Sequence, residues 1–415
     1  MARSPFESTP LTAMQTYDDI MERRVAIDAE HDGLADSGIR EADVFVADLQ
    51  DGNKLVLLDE TTQRNNVFKT ISAEGGVAVL GDEVTEVVTG SAGSFMMAVA
   101  DPATRRNMQV TSFVPKPHLV NPLKLEAARE NGIAVHADSD SVEEALVKAQ
   151  AYVKNTPGAA FVHPYDNPSG VAALTIVGEH ATNAVDKLRA DGKLPSDHEE
   201  EYLLQVGGGS LLGGVACWLY DNEPVVNRTV RTARPNRKRN GSLDPRFDGL
   251  AVEVPGSIAM SLLTDRRFVQ GQTVVHEASV ADATRLLYRV NNRKLYEANA
   301  LVGVAAVLQT LADYPDAPPK TYVTVLTGSN ADPAQHEYFM GLDGYESTLA
   351  FQERQRNARR RAMAAATWTR FAGEAESLNK RRPVPAVRDF SQPGGQYGAS
   401  PTYPFRQGLI EPRPV

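Results

Sequence analysis

The chain has 415 residues, of which 42% are hydrophobic and 23% charged, the balance of a soluble globular protein long enough for two domains. Its formal charge of -10 argues against a nucleic-acid partner, its single cysteine, Cys217, excludes an internal disulfide, and no apolar run is long enough to span a bilayer. No charged-then-apolar signal opens the chain, so a cytoplasmic protein without a membrane partner is expected.

Ile20, Met21 and Val25 recur at helical spacing and predict a helix from Tyr17 to Ala29. Lys54 to Asp59 is a short apolar strand that leads through the polar turn Glu60-Thr61-Thr62-Gln63-Arg64-Asn65-Asn66 to Lys69. Most lysines so placed are solvated surface residues. A strand from Val84 to Thr89 then runs into Gly90-Ser91-Ala92-Gly93-Ser94 and a helix, a turn that can hold an anion such as a carboxylate at the helix start. Strand and helix patterns alternate onward as far as one long helix from Pro168 to about Arg189. This is the pattern of parallel α/β architecture, in which ligands sit beyond the carboxyl ends of strands.

Leu203 to Val206 reads as a buried strand that passes through Gly207-Gly208-Gly209-Ser210 into an apolar helix. Three successive glycines let the backbone close around a phosphate at the helix start, although such turns also occur as plain connections. Leu212 stands where the third glycine of a dinucleotide fingerprint would fall, and no lysine precedes a Ser/Thr as in a nucleotide-triphosphate loop. A cofactor with one phosphate remains. Asp221 to Pro245, where Arg228, Arg231, Arg234, Arg237, Lys238 and Arg239 crowd, reads as a basic loop. Two further helical segments precede a last buried strand from Thr321 to Leu326, which ends in the polar turn Thr327-Gly328-Ser329-Asn330. Residues from about Glu346 to Lys380 are helix-permissive and arginine-rich, and an extended Pro/Gly-rich tail follows.

These four turns, in this order, resemble those of pyridoxal-phosphate enzymes of the tryptophan-synthase-β fold (fold type II), most closely the serine/threonine dehydratases. The resemblance spans residues 54 to 332. The segment from Glu60 to Phe68-Lys69 is similar to the family's E-N-x-Q…S-F-K, GSAGSFMMAVA to its S-A-G-N-H loop, and PLKLEAARENGIAV, FVHPYDNPSGVA, VGGGSLLGGVA, DGLAVEVPG and VLTGSNAD to further family segments.

The resemblance implies an α/β fold of two open twisted sheets with flanking helices and the cofactor in the cleft between domains. Residues 1–79 and 183–345 would form the large cofactor-binding domain, residues 80–182 a small domain inserted in it, and residues 346–415 a C-terminal helix and tail. It implies that Lys69 is the catalytic Schiff-base lysine, that Ser91, Ala92 and Gly93 hold the substrate carboxylate, and that Gly207, Gly208, Gly209, Ser210 and Leu211 hold the cofactor phosphate. Thr327 lies where the family places a serine or cysteine facing the pyridine nitrogen. Ser94 replaces the family asparagine at the ring hydroxyl, a gap for a water or Asn65 to fill. Phe95 replaces the following histidine, Val67 replaces the serine before Phe-Lys, and the acidic residues of the family's metal site are missing, so no metal is expected.

The expected activity is removal of water and then ammonia from a small β-hydroxy amino acid such as threonine or serine, giving a 2-oxo acid, in a homodimer. Ala92 stands where racemases of the family carry a proton-bearing serine, so inversion is not expected. The alternatives are β-replacement in specialised amino-acid biosynthesis, and a catalytically degraded cofactor-binding protein acting through its basic C-terminal region.

Overall fold

The computed structural model describes residues 11–30, 39–91, 93–120, 122–222, 228–237, 243–291 and 293–345. Ala92, Lys238, Arg239, the helix expected from Glu346 to Lys380 and the tail behind it lie outside them. Strands β1 (Asp43–Asp48) and β2 (Lys54–Asp59) open one sheet. A second sheet takes β3 (Glu86–Gly90), β4 (Gln109–Pro115), β5 (Ala134–Ser139) and β6 (Ala159–Phe161). The chain then returns to the first with β7 (Glu199–Gln205), β8 (Arg228–Pro235), β9 (Gly271–Val275) and β10 (Lys320–Leu326).

The helices are α1 (Ala13–Glu30), α2 (Lys69–Ala78), α3 (Ser94–Arg105), α4 (Pro122–Glu130), α5 (Val142–Asn155), α6 (Pro168–Ala173), α7 (Thr175–Ala190), α8 (Ser210–Asp221), α9 (Ser257–Leu263), α10 (Glu277–Val290), α11 (Ala298–Asp313) and α12 (Pro333–Gly341).

The six-stranded sheet has the order β1-β2-β10-β7-β8-β9, and the four-stranded sheet β5-β4-β3-β6. All pairs are parallel except β1 with β2. Parallel strands covered by helices on both faces need apolar residues on both, which is why β2 reads as the unbroken run Leu55-Val56-Leu57-Leu58. Val56 and Leu58 share one core with Val323, Val325 and Leu204, on the side where α6, α7 and α8 supply Val171, Val177 and Val215. Leu55 and Leu57 share the other with Tyr322, Leu203 and the α11 residues Leu301 and Val304. The smaller sheet packs Val87, Val110 and Val114 against Phe95 and Val99 of α3 and Leu125 of α4.

Three expectations are corrected. The long helix from Pro168 breaks at Leu174 into α6 and α7. The strand expected from Leu203 begins at Glu199, and the basic loop contains β8, paired on both sides. The last two errors have one cause. Charges normally mark exposed loops, but Arg228 and Arg231 face Glu200 and Glu201 on the neighbouring strand, with Nε to Oε2 of 2.9 Å and Nη1 to Oε1 of 2.9 Å. Two charged stretches that would each be excluded from a sheet interior neutralise one another across it.

Glu200 is fully buried and also pairs with Arg189 and accepts a hydrogen bond of 3.0 Å from the Tyr202 hydroxyl. Glu200→Ala removes the anion and leaves two largely buried guanidinium groups facing each other. Denaturant unfolding should show a loss of about 3–5 kcal/mol, and a loss under about 1 kcal/mol, the worth of a surface pair, would contradict this account.

Candidate active site

In the larger sheet β2, β10 and β7 are neighbours and run the same way, so the turns after Asp59, Leu326 and Gln205 meet at one sheet edge. β3 brings the turn after Gly90 to the same place from the smaller sheet. Together they line a single cavity that contains Lys69, Ser91, Gly93, Ser94, Thr327 and the whole stretch from Gly207 to Leu211. Every described residue assigned to the site from sequence is therefore on its wall.

Lys69 is the first residue of α2, and the chain before it is pinned: Val67 bridges Gly328, and the Phe68 amide donates to the Thr327 carbonyl at 3.2 Å. The lysine is not the solvated surface residue that its polar turn allows. It is half-buried and lines the cavity. Burial first, and then the Lys124 ammonium, push its pKa below the ordinary lysine range, while Glu297 and Asp248 oppose the shift. A lowered pKa enlarges the fraction present as free amine at neutral pH.

The glycine turn is a cradle in which each residue has its own constraint. Gly209 is left-handed, with φ of 95°. A Cβ on Gly208 would lie 2.2 Å from the Tyr165 ring, and one on Gly207 would lie 2.8 Å from the Gly249 carbonyl oxygen. α8 starts immediately afterwards at Ser210, so the N–H groups of its first turn, which have no acceptor within the helix, face the cavity end.

Elsewhere on the wall, Gln205 Nε2 donates both to the Val325 carbonyl at 2.8 Å and to Thr327 Oγ1 at 3.1 Å. The carbonyl fixes which way the amide points, so Thr327 accepts from Gln205 and keeps its own proton for an acceptor in the cavity. Ser91 Oγ accepts from the Gly93 amide at 3.2 Å and tightens the turn before α3. Phe95, in the place of the family histidine, is fully buried in the core of the smaller lobe. Asn65 does not fill the gap beside Ser94: its amide donates to the Met97 carbonyl at 3.1 Å, and it is absent from the cavity wall.

A cluster of four wall residues escaped sequence reasoning. Lys124 from α4 meets Asp248 at 3.0 Å, and Asn299 Nδ2 donates to the other Asp248 oxygen at 3.0 Å. Glu297, just before α11, is buried beside them, and its Oε1 and Asn299 Oδ1 have no partner among the described residues. Burial raises the Glu297 pKa, with Asp248 adding to the shift and Lys124 opposing it. Asp248 is held below the ordinary carboxylate range, since Lys124 and Asn299 outweigh its burial. A carboxylate and an amide two residues apart at the start of the apolar helix ALVGVAAVL were the available signal.

A buried amine, a glycine cradle at a helix start and a hydroxyl with a free proton fit the aldehyde, phosphate and ring nitrogen of pyridoxal phosphate. A profile of the family described as "Pyridoxal-phosphate dependent enzyme" matches residues 41–328. The L-threonine ammonia-lyase of Thermotoga maritima is 28% identical over 296 residues, 68% of this chain and 68% of that protein. Human serine racemase is 26% identical over 68% of this chain and 82% of its own length. The processed form of threonine deaminase isoform 2 from Solanum lycopersicum shares the fold with a TM-score of 0.63 and 20% identity, covering 80% of this chain and 94% of that one. With its profile match running from before β2 to the Thr327 turn, through all four turns of the cavity, the chain belongs to the pyridoxal-phosphate dependent enzyme family.

Proposed function

We propose that this chain is an ammonia-lyase (dehydratase) that acts on a small β-hydroxy amino acid such as threonine or serine and releases a 2-oxo acid and ammonia. The observation that carries the reading is Lys69, an amine whose pKa burial lowers, on the wall of a cavity that is also lined by a glycine cradle and a neutral hydroxyl. The names of the ammonia-lyase relatives support it.

The backbone N–H groups from Gly207 to Leu211, with the Ser210 hydroxyl, hold the cofactor phosphate. Thr327 would hydrogen-bond the ring nitrogen, and Ser91, Ala92 and Gly93 would hold the substrate carboxylate. When bound, pyridoxal phosphate withdraws electrons from Cα of the amino acid attached to it. Lys69 takes the α-proton. A hydroxyl at Thr327 cannot keep the ring nitrogen charged as an aspartate would, so charge at Cα is not stored and loss of the β-substituent follows. A second reading, β-replacement, is favoured by one observation: the cavity shares a wall with an outer chamber of about 1000 Å³, room for a nucleophile. The proposal includes a homodimer in a reducing compartment, where the single buried Cys217 stays a thiol.

L-Serine and L-threonine incubated with the holoenzyme in heavy water test it. Oxo acid should accumulate, while chiral chromatography of the recovered amino acid should show negligible D-form or epimer, because Ala92 carries no proton. No oxo acid, or rapid inversion, would sink the reading.

A further inference from the structure

We propose that Lys124 is a second catalytic group, the acid that gives its proton to the departing β-substituent. This rests on the lyase reading and extends it, since that reading names a base for the α-proton and no source for the proton that a leaving hydroxyl requires.

The argument starts from position. α4 carries Lys124 over the turn assigned to the substrate carboxylate: a Cβ on Gly93 would lie 3.1 Å from Lys124 Cδ and 3.3 Å from its Nζ. Its side chain lines the inner cavity together with Lys69 and also lines the outer chamber. Glu297, the other buried proton carrier, is placed differently. A Cβ on Gly328, next to Thr327, would lie 2.9 Å from its carboxyl carbon, so it stands at the ring-nitrogen end of the cavity.

Charge is the second part. An ammonium has three protons, and Lys124 spends one on Asp248 at 3.0 Å. Asp248 is itself held by Asn299 and by the Gly249 amide at 2.6 Å, so the ammonium is fixed in place with protons to spare. Burial works against its charge, but Asp248 and Glu297 outweigh it and raise its pKa, whereas burial lowers that of Lys69. Two lysines in one cavity are thereby driven apart, one toward free amine and one toward ammonium, the arrangement that divides base from acid.

The step balances. The Cα–H bond breaks and its proton goes to Lys69 Nζ, while its electron pair becomes the second bond between Cα and Cβ. The Cβ–O bond breaks with both electrons on oxygen, which takes a proton from Lys124 Nζ and leaves as water. Lys69 ends charged and Lys124 neutral, and one proton exchanged through the outer chamber restores both.

The test compares leaving groups. Chloride departs without a proton, and L-alanine has no leaving group at all. Lys124→Gln should turn over L-serine about 100-fold more slowly or worse, yet stay within about threefold of the parent on β-chloro-L-alanine, the span expected when only a general acid is lost. Exchange of the L-alanine α-proton for deuterium, followed by NMR, should stay within the same threefold, since burial, ahead of Lys124, is the first cause of the lowered Lys69 pKa, and visible cofactor absorption and melting temperature report whether the site is intact. If Lys124→Gln does not retain the cofactor, Lys124→Met is measured in the same way, and failure of both to bind it makes Lys124 structural and ends the proposal. Equal losses on L-serine and β-chloro-L-alanine, or no loss on either, overturn it as well. A parent enzyme that consumes β-chloro-L-alanine but neither L-serine nor L-threonine would instead sink the lyase reading itself.

Discussion

Lys69→Ala should abolish the visible absorption of the bound cofactor, prevent its covalent fixation by borohydride, and lower turnover by about 10³-fold or more, since it removes both the point of attachment and the base. The result is sharper than it would be in a site with one lysine. Lys124 lines the same cavity and is the natural substitute, but its pairing with Asp248 keeps it an ammonium, which has no lone pair with which to bond the cofactor. Spectra of the parent and variant, with mass analysis after borohydride, decide the matter. A cofactor still fixed in Lys69→Ala would show that Lys124 is not held charged, and would undo both lysine assignments together.

Gly208→Ala should weaken cofactor binding by about 10–100-fold, a loss of about 1.4–2.8 kcal/mol. A methyl group there would stand 2.2 Å from Tyr165 Cγ and 2.4 Å from its Cβ, the stiff base of the side chain. The loop that carries Tyr165 has little freedom to retreat: His163 Nδ1 accepts from the Tyr165 and Asp166 amides at 3.3 and 3.0 Å, and Asp166 caps Ser257 and Ile258. Overpacking of this kind costs about 1–3 kcal/mol by itself, and the turn that must yield is the one that holds the phosphate. Titration of the apo form with pyridoxal phosphate measures the effect. Tyr165→Gly, which removes both offending atoms, should restore part of the affinity in the double variant, and Gly208→Ala binding as tightly as the parent would show that the cradle does not need its bare backbone.

The parts of this site visible in the sequence are those made by local chemistry. Gly207, Gly208 and Gly209 interrupt an apolar run, Ser91 and Gly93 interrupt another, and a strand ends at Thr327, each a signal confined to a few residues. The missing parts are made by pairing at a distance. Lys124 and Asp248 are 124 residues apart, and each alone has the look of a solvated charge on a helix or in a loop. Gln205 closes β7, and its meaning rests on Thr327, 122 residues away just past the end of the neighbouring strand β10. β8 failed for the same reason, because its arginines make sense only beside Glu200 and Glu201.

The strand order has a consequence for how the enzyme is made. β10, last of the described strands to be synthesised, lies between β2 and β7, with Tyr322 registered against Leu55. Until residues 320–326 have left the ribosome, β2 and β7 each keep an unpaired inner edge bearing Leu55, Leu57 and Leu203, the kind of edge through which nascent chains aggregate. Thr327 and the bridge that pins Lys69 arrive with that same strand. The catalytic cavity therefore cannot close around an early-folded half before β10 is in place, and cofactor capture waits for a contact that spans most of the described sequence, a topology that favours slow folding.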